Sequence, residues 1–210
     1  MNYNEAFTQR YSVKKFDKSK VVPEEVLERI LQAGKLSASS LGLQPYKIYV
    51  VESDEVKEQL VSAFHNPSQM STCSHLVVLV TKKNVDDAYL DGYFRHIKEV
   101  RSEMPDENLA LFRKNINYYL DSKSAEEMLI WNEKQSYIVL GNLMFASALE
   151  GVDTCPMEGF KKDKIEEILN INPELETVSV TLALGYRSSE DDFQHLNKVR
   201  KPDDKLFKRI

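Results

Sequence analysis

Glycine is scarce in this chain and cysteine scarcer. Seven glycines stand at positions 34, 42, 92, 141, 151, 159 and 185, with no two separated by a single residue. The GxGxxG dinucleotide fingerprint and the GxxxxGK[ST] loop are therefore both missing. A bound phosphate would have to be held by side-chain donors, since neither glycine-rich backbone cradle exists. The two cysteines, Cys73 and Cys155, lie far apart without a CxxC pair or a Cys/His cluster. They read as reduced, buried thiols and not as zinc or dithiol chemistry. The four histidines, His65, His75, His96 and His195, show no HExxH or other ligand spacing, so no metal is expected. A GxSxG elbow is also lacking, which ranks hydrolase readings low.

Long apolar runs and excess positive charge are absent too. No stretch of 18 or more apolar residues occurs, and MNYNEAFTQRYSVKKF has no signal-peptide core. The expectation is a cytoplasmic protein without membrane association. A net charge of -5 argues against nucleic acid or anionic lipid as a partner. With 210 residues, 42% of them apolar, and no linker or repeat, the chain is expected to form a single domain over 1–210.

What is present is a regular alternation of elements. VVPEEVLERILQAGKL places Pro23 in a first turn, Glu24 and Glu25 behind it, and Val26, Leu27, Ile30 and Leu31 at helical spacing. That helix should run out at Gly34 into the loop Ser37–Gly42. The runs 46–51, 75–80 and 177–185 read as strands, and Asp54 as the cap of a helix carrying Val56, Leu60, Val61 and Phe64. From Asp86 to Gly151 the pattern is helical, with breaks near Met104-Pro105 and Asp121-Ser122. Its last piece, Ser136–Leu149, has so little polar surface that it should be buried nearly all round, in a core or a dimer interface, before Gly151 stops it. A short helix is expected around Lys164–Leu169 and irregular chain from Ser188 onward. Strands interleaved with dominant helices give an α+β class.

Three segments carry polar groups suited to a phosphorylated ligand. Arg10, Ser12 and Lys14 alternate, and would share one side if the chain there is extended. Ser39-Ser40-Leu41-Gly42-Leu43-Gln44-Pro45-Tyr46 puts hydroxyls and an amide at a strand entrance. In Cys155-Pro156-Met157-Glu158-Gly159-Phe160, Pro and Gly bracket residues whose backbone N–H groups would be free to face a ligand. Each string alone is as compatible with a solvated basic stretch or a plain turn. They occur in order, however, with Asn66 between the second and third and the alternating pair Lys198 and Arg200 behind them.

Taken together, RYSVKKF, SASSLGLQPY, HLVVLV, PMEGF, LALGY and KVRKP resemble the nitroreductase superfamily of FMN flavoproteins, and within it the oxygen-insensitive NAD(P)H nitroreductases. The resemblance covers nearly the whole chain. It implies a nitroreductase-like fold, with a central, mostly antiparallel sheet flanked by helices. It also implies an intertwined homodimer with a long buried interface helix. Arg10, Ser12, Lys198 and Arg200 would hold the FMN phosphate, and Lys14 would reach the pyrimidine edge. Ser39 and Ser40 would come from the partner subunit. Asn66 would bond the pyrimidine carbonyl region, the backbone of Glu158 and Gly159 would face flavin N5, and Tyr11, Gln44, Gln69, Pro156 and Met157 would complete the lining. The implied activity is hydride transfer from NADH or NADPH, through FMN, to a small acceptor such as a nitroaromatic or quinone in a ping-pong cycle. No side-chain acid is needed; a fixed cation such as Lys14 would stabilise the charge of the reduced ring. Two departures stand out. Gln69 occupies a place where such proteins often carry a second basic residue, and Tyr46 stands in the QPY string where QPW is usual. Gln69 keeps open a non-redox flavin-handling protein on the same fold. The apolar 136–149 helix keeps open a helical interaction module.

Overall fold

Helix starts follow the capping chemistry written into the chain. The structure is a computed structural model that describes residues 2–210. In α1 (Tyr3–Gln9), Glu5 N–H donates to Asn2 Oδ1 and Asn2 N–H to Glu5 Oε2, each at 3.0 Å, closing a capping box. Helix α2 (Glu24–Lys35) begins directly after Pro23, with its two acids in the first turn. It does not stop at Gly34. That glycine is buried inside the helix, where a Cβ would stand 2.9 Å from Leu143 Cδ2, so its smallness serves helix packing. Strand β1 (Tyr46–Val51) follows, then α3 (Asp54–Val61). The cap of α3 is Ser53, whose Oγ accepts from Val56 N–H at 3.3 Å, so Asp54 is the first helical residue and not the cap.

Helix α4 (Pro67–Thr72) lies where no element was expected; it is short and polar, with Pro67 in its first turn. Strand β2 (His75–Lys82) leads to α5 (Asp87–Val100), α6 (Asp106–Asp121) and α7 (Ala125–Leu149), with the two breaks at the expected places. Gly151, at φ +73°, takes the left-handed conformation that ends the α7 region. Strand β3 (Asp153–Met157), α8 (Lys162–Ile168), β4 (Glu176–Gly185) and a single-turn α9 (Asp203–Leu206) complete the order.

The expected α+β, nitroreductase-like architecture is present. Four strands pair antiparallel in the order β1-β2-β4-β3. Every residue from His75 to Thr81 is buried because both faces of the sheet are covered. Val77 and Leu79 pack with Val180, Leu182 and Leu184 under α2 and α7. Leu76, Val78 and Val80 pack with Val178, Ala183 and the α3, α4 and α8 side. A third cluster, built on Leu43, Ile116, Leu120 and Trp131, joins α5 and α6 to α7.

One further expectation needs correction. Cys155-Pro156-Met157 is the second half of β3 and not a turn. Because β3 is an edge strand, the missing Pro156 N–H can be accommodated without breaking the ladder to β4. Helix α7, expected to be buried nearly all round in a core or a dimer interface, is covered within one chain by the sheet, α1, α2 and the third cluster, and keeps one partly exposed side. Val139, Leu143 and Ser147 are fully buried, while Tyr137, Ile138 and Leu149 remain about 40% exposed. Among the described residues, no helix is long and apolar enough to cross a membrane.

Candidate functional site

The two distant basic segments meet. Arg10 caps the C-terminus of α1, and Ser12 bridges Thr154 of β3, with Val13 N–H donating to the Thr154 carbonyl at 3.2 Å. From the other end, the Lys198 ammonium donates to the Arg10 carbonyl. The side chains of Arg10, Lys198 and Arg200 lie within electrostatic reach of one another. Burial first, and then the Arg200 cation, lower the Arg10 pKa; burial, Arg10, Arg200 and Arg187 do the same to Lys198. Arg10 Nε is buried and has no hydrogen-bond partner among the described residues. Like charges gathered with an unsatisfied buried donor have the character of an anion site.

Beside it opens a cleft of about 600 Å³, lined by Lys14, Asn66, Gln69, Asp191 and Phe193 among others. Lys14 Nζ lies 5.6 Å from the Phe193 ring centre. Asn66 precedes α4 without using its side chain as a cap, and the buried Gln69 leaves Oε1 without a partner among the described residues. Cys155 connects the two patches: burial raises its thiol pKa, while Lys14, Gln69 and Arg10 all oppose that rise. The strict alternation expected for Arg10, Ser12 and Lys14 ends in a bend at Lys14-Lys15, yet both cations remain within electrostatic reach of one sulfur.

A polar frame holds this ground. Arg187 forms a fork with Asp153, Nε to Oδ2 at 2.9 Å and Nη2 to Oδ1 at 2.5 Å. Its guanidinium lies 4.6 Å from the Tyr11 ring centre. The Asp153 bond raises the Arg187 pKa. Tyr11 in turn donates its hydroxyl to Asp191 at 3.0 Å. At the far rim of β3, Tyr137 donates to Glu158 Oε1 at 2.5 Å, and burial together with that carboxylate pushes the phenol up to about 12. The N–H groups of Glu158 and Gly159 meet no acceptor among the described residues, while the Gly159 carbonyl accepts from His65 at 2.9 Å. Pro156 and Met157 lie in the strand that leads to them.

Ser39, Ser40 and Gln44 are held elsewhere in the chain. Ser39 Oγ accepts from Gln44 N–H at 3.0 Å, and Ser40 N–H donates to Gln135 at 2.8 Å. Tyr89 donates to the Leu43 and Gln44 carbonyls at 2.7 and 2.9 Å, and Tyr93 to Leu41 at 3.0 Å. Leu41 and Gln44 adopt φ +57° and +46°, a conformation that non-glycine residues rarely hold without outside support. One chain thus gathers Arg10, Lys198 and Arg200 beside Lys14, Asn66 and Gln69. It does not bring the 39–44 loop to them.

Comparison with known proteins decides the family. The Nitroreductase family model matches residues 7–186. The chain is 39% identical to the "Putative NAD(P)H nitroreductase YfkO" of Bacillus subtilis, with 87% of each protein covered. It is 36% identical to a Staphylococcus haemolyticus protein of the same description, over 98% of this chain and 95% of that one. The chain belongs to the nitroreductase family. Among solved structures, an Exiguobacterium sibiricum nitroreductase in complex with FMN superposes with a TM-score of 0.87 at 22% identity, over 100% of this chain and 98% of that one. A Staphylococcus epidermidis protein described as an NAD(P)H:FMN oxidoreductase gives 0.86 at 27%, over 100% and 96%.

As a member of the nitroreductase family, the chain holds several site-framing residues that the sequence did not single out. Asp191, Arg187, Asp153 and Tyr137 belong to this group. Asp191 sits in the acidic run Glu190-Asp191-Asp192, which looks like solvated surface. Its burial depends on donors more than 170 positions away. Tyr137 is concealed in the apolar pattern of α7.

Proposed function

We propose that this nitroreductase-family chain is an FMN-dependent NAD(P)H oxidoreductase that works as a homodimer and reduces small electrophilic acceptors such as nitroaromatics or quinones. The observation that carries the reading is the convergence of Arg10, Lys198 and Arg200 around an unpartnered buried Arg10 Nε. A phosphate monoester fits this donor set: it would accept from both guanidinium groups and offset repulsion that Asp153 and Cys155 only partly oppose. When bound, FMN supplies the hydride-accepting and hydride-donating chemistry that no side chain here provides. The family resemblance, the FMN complex of a structural neighbour and the names of the relatives support that choice.

The residues divide the work. Arg10, Ser12, Lys198 and Arg200 would grip the phosphate. Lys14, whose ammonium pairs with no carboxylate among the described residues, would place positive charge at the pyrimidine edge. Asn66 and Gln69 offer amides along the same wall, and the free N–H groups of Glu158 and Gly159 form the other rim. Ser39, Ser40 and Gln44 would act on the partner's site, consistent with their position away from Arg10 in their own chain.

Two features favour the dimer. The exposed side of α7 carries Tyr137, Ile138 and Leu149, next to Phe7, which stacks on Phe145 at 5.0 Å. The 196–210 segment leaves Leu196, Val199, Phe207 and Ile210 more than 60% exposed, a load of apolar surface that a lone protomer rarely carries. The test is direct. Purified protein should be yellow or take up added FMN, sediment as a dimer, and lose its flavin absorbance anaerobically on addition of NADH or NADPH. A colourless protein that takes up no FMN would end the reading. Bound flavin that neither nucleotide bleaches would point to the flavin-handling alternative.

A further inference from the structure

Lys14 is gripped at its backbone and free at its tip. Asp191 Oδ2 accepts from the Lys14 N–H at 2.7 Å and from the Lys15 N–H at 3.2 Å, and Ser68 Oγ donates to the Lys14 carbonyl at 2.8 Å. The ammonium forms no ion pair or hydrogen bond among the described residues and faces Phe193 across the cleft. Its direction is therefore set by where the backbone is held.

Asp191 is built for holding. The residue is 2% exposed and forms no ion pair among the described residues, Arg187 acting on it only at longer range. Its oxygens also accept from the Tyr11 hydroxyl at 3.0 Å and from its own turn, Phe193 N–H, at 3.1 Å. A carboxylate withdrawn from water is costly unless several donors converge on it, and four do so here. Three of those donors belong to the 11–15 segment, so one side chain joins the C-terminal turn to the segment that bears the flavin-side cation.

We propose that Asp191, backed by Ser68, is a positioning residue that aims the Lys14 ammonium into the cleft and thereby sets the relative affinity of the site for reduced and oxidised flavin. This rests on the FMN reading above. Removing Asp191 has two separable effects. Loss of a negative charge near the ring favours the reduced form whether or not Lys14 is present. Loss of aim disfavours the reduced form only when Lys14 is there to be aimed.

The experiment is a double-mutant cycle on FMN-saturated protein. Asp191→Asn is measured in the wild-type and Lys14→Met backgrounds, reading the flavin midpoint potential by anaerobic dye equilibration and the FMN Kd by fluorescence. The expected result is that the Asp191→Asn shift differs between backgrounds by about tenfold in the affinity ratio, equal to about 30 mV for a two-electron couple. Amide exchange at Lys14 and Lys15 should also quicken in Asp191→Asn without added flavin. Shifts that agree within about twofold, the scatter of independent sites, would overturn the proposal. Ser68→Ala carries the same cycle should Asp191→Asn not fold. Wild-type protein that binds no FMN would instead refute the function, and is recognised before any variant is made.

Discussion

Replacing Arg10 by Met should weaken flavin binding while leaving the flavin-free protein as stable as before, or more so. In the chain as it folds, Arg10 stands among Lys198 and Arg200 with a buried, unpartnered Nε. Leaving such a donor unsatisfied costs about 1–3 kcal/mol, and methionine keeps most of the stem's apolar packing without the donor. Relief of even 1 kcal/mol corresponds to a rise in Tm of about 2–4 °C for a domain of this size. With a phosphate bound, the balance reverses. A charge-assisted hydrogen bond contributes about 1.5–3 kcal/mol, so its loss should raise the FMN Kd by roughly ten- to 150-fold. Differential scanning fluorimetry of flavin-free protein, paired with a flavin-fluorescence titration, reads both quantities. Riboflavin, which lacks the phosphate, should bind the variant and the parent alike. A fall in Tm with unchanged FMN affinity would show that Arg10 holds the fold and not the ligand.

Acid should loosen the Asp191 anchor. Burial alone would raise that carboxyl, but the backbone donors at Lys14 and Lys15, the Tyr11 hydroxyl and Phe193 N–H outweigh it and hold the pKa below the usual aspartate value. A depressed folded-state pKa contributes stability that is full above the unfolded value near 4 and fades as pH falls through the folded one. Tm against pH should therefore steepen below about pH 4 in the parent, and less so in Asp191→Asn. Gly185→Ala should destabilise by about 1–3 kcal/mol through overpacking, because a Cβ there would meet Phe16 Cδ1 at 2.8 Å and the Ser74 backbone nitrogen at 3.3 Å. Urea unfolding with an unchanged midpoint would contradict it. Cys73, whose thiol burial pushes up to about 12, should react with Ellman's reagent only as fast as the protein opens. Prompt labelling in native buffer would refute that burial.

Much of this molecule was legible because some residues state their environment locally. Tyr46–Val51 and the core of β2 are runs rich in branched and aromatic residues that favour strands, and the α5–α7 breaks carry Pro105 and Ser124 at helix starts. The second half of β3 was not legible, since Pro156 argues for a turn wherever the neighbouring strand is unknown. Helix α4 was concealed because Ser68, Gln69, Ser71 and Thr72 are polar and the element is under two turns long. At the site, Arg10, Lys198 and Arg200 could be picked out as donors from residue type and order. Asp191 could not, because what distinguishes it from Glu190 and Asp192 is which backbone amides happen to face it after folding.

The contact between Lys198 and Arg10 spans 188 positions of sequence, and Asp191 to Lys14 spans 177. Closing so long a segment costs entropy that grows only with the logarithm of its length, so the penalty at equilibrium is small, yet the closure cannot happen until both partners have been synthesised. A nascent chain that has completed β4 already owns the four described strands of its sheet and Arg10, but still lacks Lys198 and Arg200 of the anion pocket. If FMN fills this pocket as proposed, its loading belongs among the last events of maturation, and a supply of flavin would select the molecules in which residues 10 and 198 have found each other.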